Sequence, residues 1–382
     1  MVMKKLFLNF VLLSFALFAV GCKQDIAKSN QSFSTHVNQI KYAKGLAIYK
    51  HKGFAIMSIK NPWPNAARAY TYILKEKTGV IPDSLKEFPI ITIPLQKIVV
   101  TSTTHIPSLE MLGVENTLIG FPHTDYISSE KVRKRVDDGK IKDVGSDQSL
   151  NTELLIELAP DALIGHGIDN NNPTFDNLQK NGLKVFINGD WNESSPLGKA
   201  EWIKFFGALY GLDAKANSIF KSIETNYKKT LQLAQNVKNK PTVFSGAIFE
   251  NQWYMPQGNS WGALFLTDAN SNYLWKETSG TGSLSLSFES VLLEAENADF
   301  WIGPGQFTSL AEMSASNPHY TQFRAFKTKN VYSYSAKKGK TGGIIYYELA
   351  PNRPDLVLQD LVKILHPKLL PDHKLYFFEQ LK

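Results

Sequence analysis

The sequence predicts an α/β protein of two lobes, each built on a parallel sheet, with a single long helical connector between them. Three observations carry that prediction. From Ile98 onward, short apolar strands end in polar, glycine-containing loops and helical stretches follow, a βα alternation that implies a parallel sheet covered on both faces. From about Gly198 to Val237 the pattern is helical, with Trp202, Phe205, Phe206, Leu209 and Tyr210 at three-to-four spacing and Gly211 as a break. A second βα series starts at Thr242-Val243-Phe244. Each lobe is accordingly Rossmann-like, and a ligand cleft is expected between the lobes.

Taken in chain order, Met1 to Lys5 is basic, Leu6 to Val20 is almost wholly apolar, and Ala19-Val20-Gly21 precede the only cysteine, Cys22. The apolar run is short of the ~20 residues that a span needs. Residues 1–21 therefore read as a lipoprotein signal cleaved ahead of a lipid-carrying Cys22, and the polar stretch 22–40 as a tether. The expected location is lipid-anchored to a membrane, on its periplasmic or cell-surface side. Residues 41–95 alternate in short β-like runs (Leu46-Ala47-Ile48-Tyr49, Phe54-Ala55-Ile56-Met57), broken by Asn61-Pro62-Trp63-Pro64, and predict an antiparallel β preamble packed on the first lobe. The first lobe is expected at 96–195, the connector at 196–238 and the second lobe at 239–382.

Composition narrows the function. The chain of 382 residues is 43% hydrophobic and 20% charged, with a formal charge of +7. No basic run marks a nucleic-acid surface, so no nucleic-acid partner is expected, and the chain is expected to act as a monomer. Only five arginines stand against 37 lysines, so bidentate anion clamps are few. One cysteine excludes an intrachain disulfide and any cysteine-rich metal site.

Ligands of open α/β sheets sit beyond the carboxyl ends of the strands, and the loops there are rich in chemistry. The first lobe offers His105, Phe121, His123, Tyr126, His166, Asp190 and Trp191; the second offers Trp253, Tyr254, Trp261, Phe307, Tyr346 and Tyr347. Aromatics at loop tips suit a large, flat or greasy ligand gripped between two faces, with Trp191 opposing Trp253, Tyr254 and Trp261. Two alternatives stay open. The three loop histidines, with Asp125 and Asp190, could hold a bare transition-metal ion. Gly258-Asn259-Ser260-Trp261-Gly262 matches a nucleophile elbow with His319 or His366 downstream, although no HGGG-like oxyanion loop accompanies it. Gly339-Lys340-Thr341 and Gly280-Thr281-Gly282 are incomplete phosphate loops, Tyr334 standing where the first pattern needs glycine.

The segments Thr101-Ser102-Thr103-Thr104-His105-Ile106-Pro107 with Leu109-Glu110-Met111-Leu112-Gly113, Asn151-Thr152-Glu153-Leu154-Leu155 leading to Ala159-Pro160-Asp161, and Arg353-Pro354-Asp355 through His366-Pro367 together resemble the solute-binding lipoproteins of iron-siderophore and cobalamin ABC importers. The resemblance covers roughly residues 95 to 370. It implies a non-enzymatic protein without a resident cofactor. Such a protein would capture a metal-chelate cargo (a ferric siderophore, cobalamin or haem) in the interlobe cleft and deliver it to an ABC permease. Family members dock through an acidic residue on each lobe. Glu110 lies in the corresponding helix, with Pro107 where the usual glutamate would align and Ser260 at the comparable place in the second lobe.

Overall fold

The computed structural model describes residues 37–146, 149–167, 169–170 and 172–382; the expected signal segment and Cys22 lie outside them. The chain is caught by the connector as soon as it enters this region. The fully buried Glu201 carboxylate accepts the backbone N–H groups of Lys41 (2.9 Å), Tyr42 (2.6 Å) and Ala43 (3.0 Å) and pairs with Lys204 at 2.7 Å. A buried charge met by that many donors is a strong local anchor.

A small sheet follows, in the order β1 (Leu46–His51), β2 (Phe54–Ile59), β3 (Tyr70–Glu76), β4 (Ile90–Ile93). The first three strands are antiparallel, with Leu46 opposite Ile59, but β4 runs parallel to β3. The all-antiparallel expectation fails at that strand because the segment 77–89 is long enough to carry the chain back in a crossover.

The first lobe runs β5 (Ile98–Val100), α1 (His105–Leu112), β6 (Leu118–Phe121), α2 (Glu130–Asp137), β7 (Lys142–Asp143), the short antiparallel pair β8 (Gly145–Ser146) and β9 (Ser149–Leu150), α3 (Thr152–Leu158), β10 (Ala162–His166), α4 (Pro173–Lys180) and β11 (Val185–Asn188). Its main sheet has the order β11-β10-β5-β6-β7 and is parallel throughout. All three residues of β5 are buried, as a strand covered on both faces requires. Strand order reverses between β5 and β10, and a crevice opens beyond their carboxyl ends at such a point.

The connector is three helices: α5 (Pro196–Glu201), α6 (Ile203–Tyr210) and α7 (Asp213–Gln235). Ser195 caps the first by accepting from Gly198 N at 3.0 Å. Gly211 ends α6 at φ 64°, the left-handed conformation that glycine adopts without penalty.

The second lobe continues with β12 (Thr242–Ser245), β13 (Ala247–Phe249), β14 (Gln252–Pro256), α8 (Trp261–Asp268), β15 (Asn272–Tyr273), β16 (Ser283–Leu286), α9 (Phe288–Ala295), β17 (Phe300–Ile302), α10 (Leu310–Ser316), α11 (Arg324–Lys327), β18 (Val331–Ser333), α12 (Ile345–Leu349), α13 (Pro354–Leu365) and β19 (Glu379–Gln380). Its main sheet is β15-β12-β17-β18-β19, parallel except for β19, and β13-β14-β16 form a separate antiparallel sheet. The α/β class with two parallel-sheet lobes is as the sequence predicts.

Candidate functional site

Among the described residues, three adjoining hollows lie beyond the sheet ends. The largest, about 810 Å³, belongs to the second lobe: its walls are the β13-β14 hairpin, the start of α8 and the loop after β17, with Tyr254, Trp261 and Phe307 among them. The second, about 280 Å³, lies between lobes, with Thr101, Phe121, Tyr126 and His166 on one side and Ile344 and Tyr347 on the other. The third, about 180 Å³, joins them: it shares Tyr347 with the second and Trp261 and Tyr334 with the first.

Local rules place the aromatic walls. Along β14 burial alternates, so Trp253 turns into the core while Tyr254 turns out, 40% exposed. Ser260 caps α8, its Oγ accepting from Ala263 N at 3.3 Å, which sets Trp261 as the first helical residue. The Trp261 ring lies 5.9 Å from that of Tyr346, which in turn stacks on Tyr334 at 4.3 Å. Burial pushes the phenols of both tyrosines up, so both stay neutral.

Under this wall sits Lys199 of α5. Its ammonium donates to the carbonyls of Asp190 (3.0 Å) and Trp191 (2.7 Å) and lies 5.3 Å from the Trp261 ring centre. Burial lowers its pKa to about 8. At the first-lobe switch point, Thr101 Oγ1 accepts the His166 backbone N–H at 3.1 Å and hydrogen-bonds His166 Nδ1 at 3.1 Å. That pair fixes the imidazole at the edge of the interlobe hollow.

A strap from the second lobe closes onto the first. Thr341 Oγ1 donates to the Asp125 carbonyl (2.7 Å), and the Glu348 carboxylate accepts Ser128 N (2.7 Å) and Ser129 N (2.9 Å). Asn352 Nδ2 donates to the Thr104 carbonyl (2.8 Å). A Cβ at Gly343 would come within 2.4 Å of the Tyr126 carbonyl oxygen, so this approach needs glycine.

Residues 98–337, more than half of the chain, match the periplasmic binding protein family. The chain belongs to that family. An uncharacterized lipoprotein of Methanocaldococcus jannaschii is 28% identical over 364 residues, covering 89% of this chain and 84% of the relative. Among solved structures, Helicobacter pylori CeuE with Ni(II) bound matches at a TM-score of 0.55 and 20% identity, covering 74% of this chain and 88% of its own. A periplasmic heme binding protein from Pseudomonas aeruginosa matches at a TM-score of 0.55 and 18% identity, covering 75% and 98%. These likenesses show the fold.

In this periplasmic binding protein the expected site residues divide. Tyr126, His166, Tyr254, Trp261, Phe307 and Tyr347 line the hollows, and Phe121 and Tyr346 border them from largely buried positions. His123 is exposed beside Tyr126, with ring centres 5.4 Å apart. Trp191 is 38% exposed and donates its Nε1–H to the Gly167 carbonyl at 3.0 Å; it lines none of the three hollows.

Three expectations need correction. Trp253 is a core residue, packed between Phe244, Trp301 and Phe323, with Nε1 donating to the Ser245 carbonyl at 2.9 Å. His105 opens α1 but points inward beside Phe206, and burial pushes its pKa down to about 4. Asp190 is buried and accepts from Thr104 Oγ1 at 2.9 Å, bracing the loop rather than facing the cleft.

Among the described residues no group of three or more His, Cys, Asp or Glu side chains could hold a metal ion, so His105, His123 and His166 do not form one metal site. Glu110 is half-buried at the strap seam, accepting from Ser129 Oγ at 2.6 Å. His319 and His366, the triad candidates, bond Gln322 and the Ala269 carbonyl instead. Among the described residues no helix is long and apolar enough to cross a membrane.

Sequence reasoning missed Tyr334 and Gln306. Tyr334 reads as the tail of a strand, and the available signal was Gly303-Pro304-Gly305, a turn-forming run directly after a strand.

Proposed function

We propose that the protein is the substrate-binding lipoprotein of an ABC importer, holding a metal chelate between its lobes and handing it to a permease without making or breaking bonds. The observation that carries this reading is the continuity of the three hollows along one aromatic wall, from Tyr347 to Trp261. The largest hollow falls within the ~300–1,000 Å³ of small-molecule sites. The similar proteins, a lipoprotein, a nickel-bound protein and a heme binding protein, agree with it. Binding without turnover is supported by Ser260, whose hydroxyl serves as a helix cap with both candidate histidines held elsewhere. Anchoring through Cys22 belongs to the same proposal.

The test is a titration of the purified protein with haem, cyanocobalamin and ferric chelates, following cargo absorbance and tryptophan emission. Saturable one-to-one binding of one of them, with quenching, is the expected result. No response to any of them would remove the metal-chelate reading.

A further inference from the structure

We infer that the cargo is a chelate without net charge rather than an anionic complex; this rests on the proposed function above and narrows it. Among the described residues, none of the five arginines lines the three hollows. Arg68 lies over the Tyr70 ring at 5.0 Å, and Arg133 donates to the Thr124 carbonyl at 2.6 Å. Arg135 donates to the Asn116 carbonyl at 2.9 Å, and Arg324 and Arg353 pair with Asp299 and Asp355. The lysines near the cleft are also engaged. Lys199 is held by two backbone carbonyls, Lys337 donates to those of Leu375 and Tyr376, and Lys340 pairs with Asp137 at 3.0 Å.

Among the described residues that line these three hollows, Lys338 is the one Lys or Arg, and the one Asp or Glu, Glu312, offsets it. Hydrogen bonds from the Thr308 N–H and hydroxyl, with Lys338 nearby, hold that carboxyl below its ordinary pKa. His166 aside, these walls are therefore balanced in charge.

An anionic complex entering such a hollow gives up hydration and meets only Lys338, a cation already offset by Glu312. A neutral complex avoids that cost and still gains the aromatic faces of Tyr254, Trp261 and Tyr347. Its affinity is also insensitive to ionic strength.

The experiment compares two neutral probes, the ferric complex of a cyclic trishydroxamate and cyanocobalamin, with two anionic ones, ferric tris-catecholate and haemin. One neutral probe should bind at least tenfold tighter than either anion, with less than a twofold change between low and high salt. Gln306→Lys, which adds a cation to the largest hollow, should tighten the tris-catecholate complex about tenfold at low salt. An anionic probe that binds wild type as tightly as both neutral ones overturns the charge inference and leaves the importer reading standing. If none of the four binds, the metal-chelate reading fails and the inference falls with it.

Discussion

In the first lobe, the loops after β5, β6 and β10 meet the cleft with Thr101, Ser102, Thr103 and a single histidine, beside Phe121 and Tyr126. In the second, the antiparallel sheet β13-β14-β16 stands between the end of β12 and the loop after β17, and it walls off the largest hollow. The two main sheets follow one plan, an early strand flanked by later ones on both sides, so each has a switch point in the same place. The contrast teaches that strand order decides where a ligand can sit, while an inserted hairpin decides how much room it has and what it touches. The second lobe should then supply most of the binding energy, and the first should orient.

Three experiments would break or sharpen that contrast. The largest effect is expected at Trp253, the inward partner of Tyr254 on the inserted hairpin. Trp253→Ala should destabilise the fold by about 3–5 kcal/mol, measured by denaturant unfolding. Normal stability with weakened cargo binding would mean that Trp253 faces the cleft after all.

The next effect compares the lobes directly. Trp261→Ala should weaken cargo binding by roughly 10- to 150-fold, the worth of one buried large aromatic at about 1.5–3 kcal/mol. His166→Ala should weaken it only about threefold, as loss of one modest polar contact would. The reverse ranking by calorimetry would make the first lobe the main grip.

The smallest concerns the seam where the lobes meet. Burial, assisted by the Glu110 carboxylate, raises Glu348 to about 7. Burial raises Glu110 too, while Glu115 and Lys131 act on it in opposite senses. A carboxyl raised in the folded state contributes stability that is fully present below about pH 4.5 and lost as pH rises through about 7. His105 has the opposite sign: pushed down to about 4, it contributes stability present above pH 6.5 and lost as pH falls through about 4. Melting temperature should therefore decline on both sides of an intermediate optimum. Glu110→Gln should flatten the alkaline side alone, by about 1.4 kcal/mol for each pKa unit removed from Glu348. An unchanged alkaline side would place the titration elsewhere.

Much of the fold was legible because buried parallel strands announce themselves as short apolar runs. Ile98-Val99-Val100, Phe300-Trp301-Ile302 and the helix from Pro354 to Leu365 lie where the sequence puts them. The site was only half legible. A residue just after a strand can point either way, and composition does not record the choice. Trp253 and Tyr254 look alike in the sequence, and strand alternation alone sends one inward and the other outward. Both His105 and His166 come after a short apolar run in the sequence, but His166 ends β10 while His105 starts a helix packed on the connector, where Phe206 meets it. The strap was illegible because its partners are distant in sequence: Glu348 meets Ser128, and Asn352 meets Thr104.

That strap bears on how such a protein can be recombined. Two similar sheets and a connector invite the exchange of one lobe for that of a relative, cut at the connector. The segment from Gly339 to Asn352 is made by the second lobe but seated on the first. A chimera cut only at the connector would present Glu348 to a seat shaped for another chain and strand Ser128 and Ser129 without their acceptor. The unit that can be transplanted is thus a lobe together with its counterpart's strap, and the chain's apparent joint is not its true boundary.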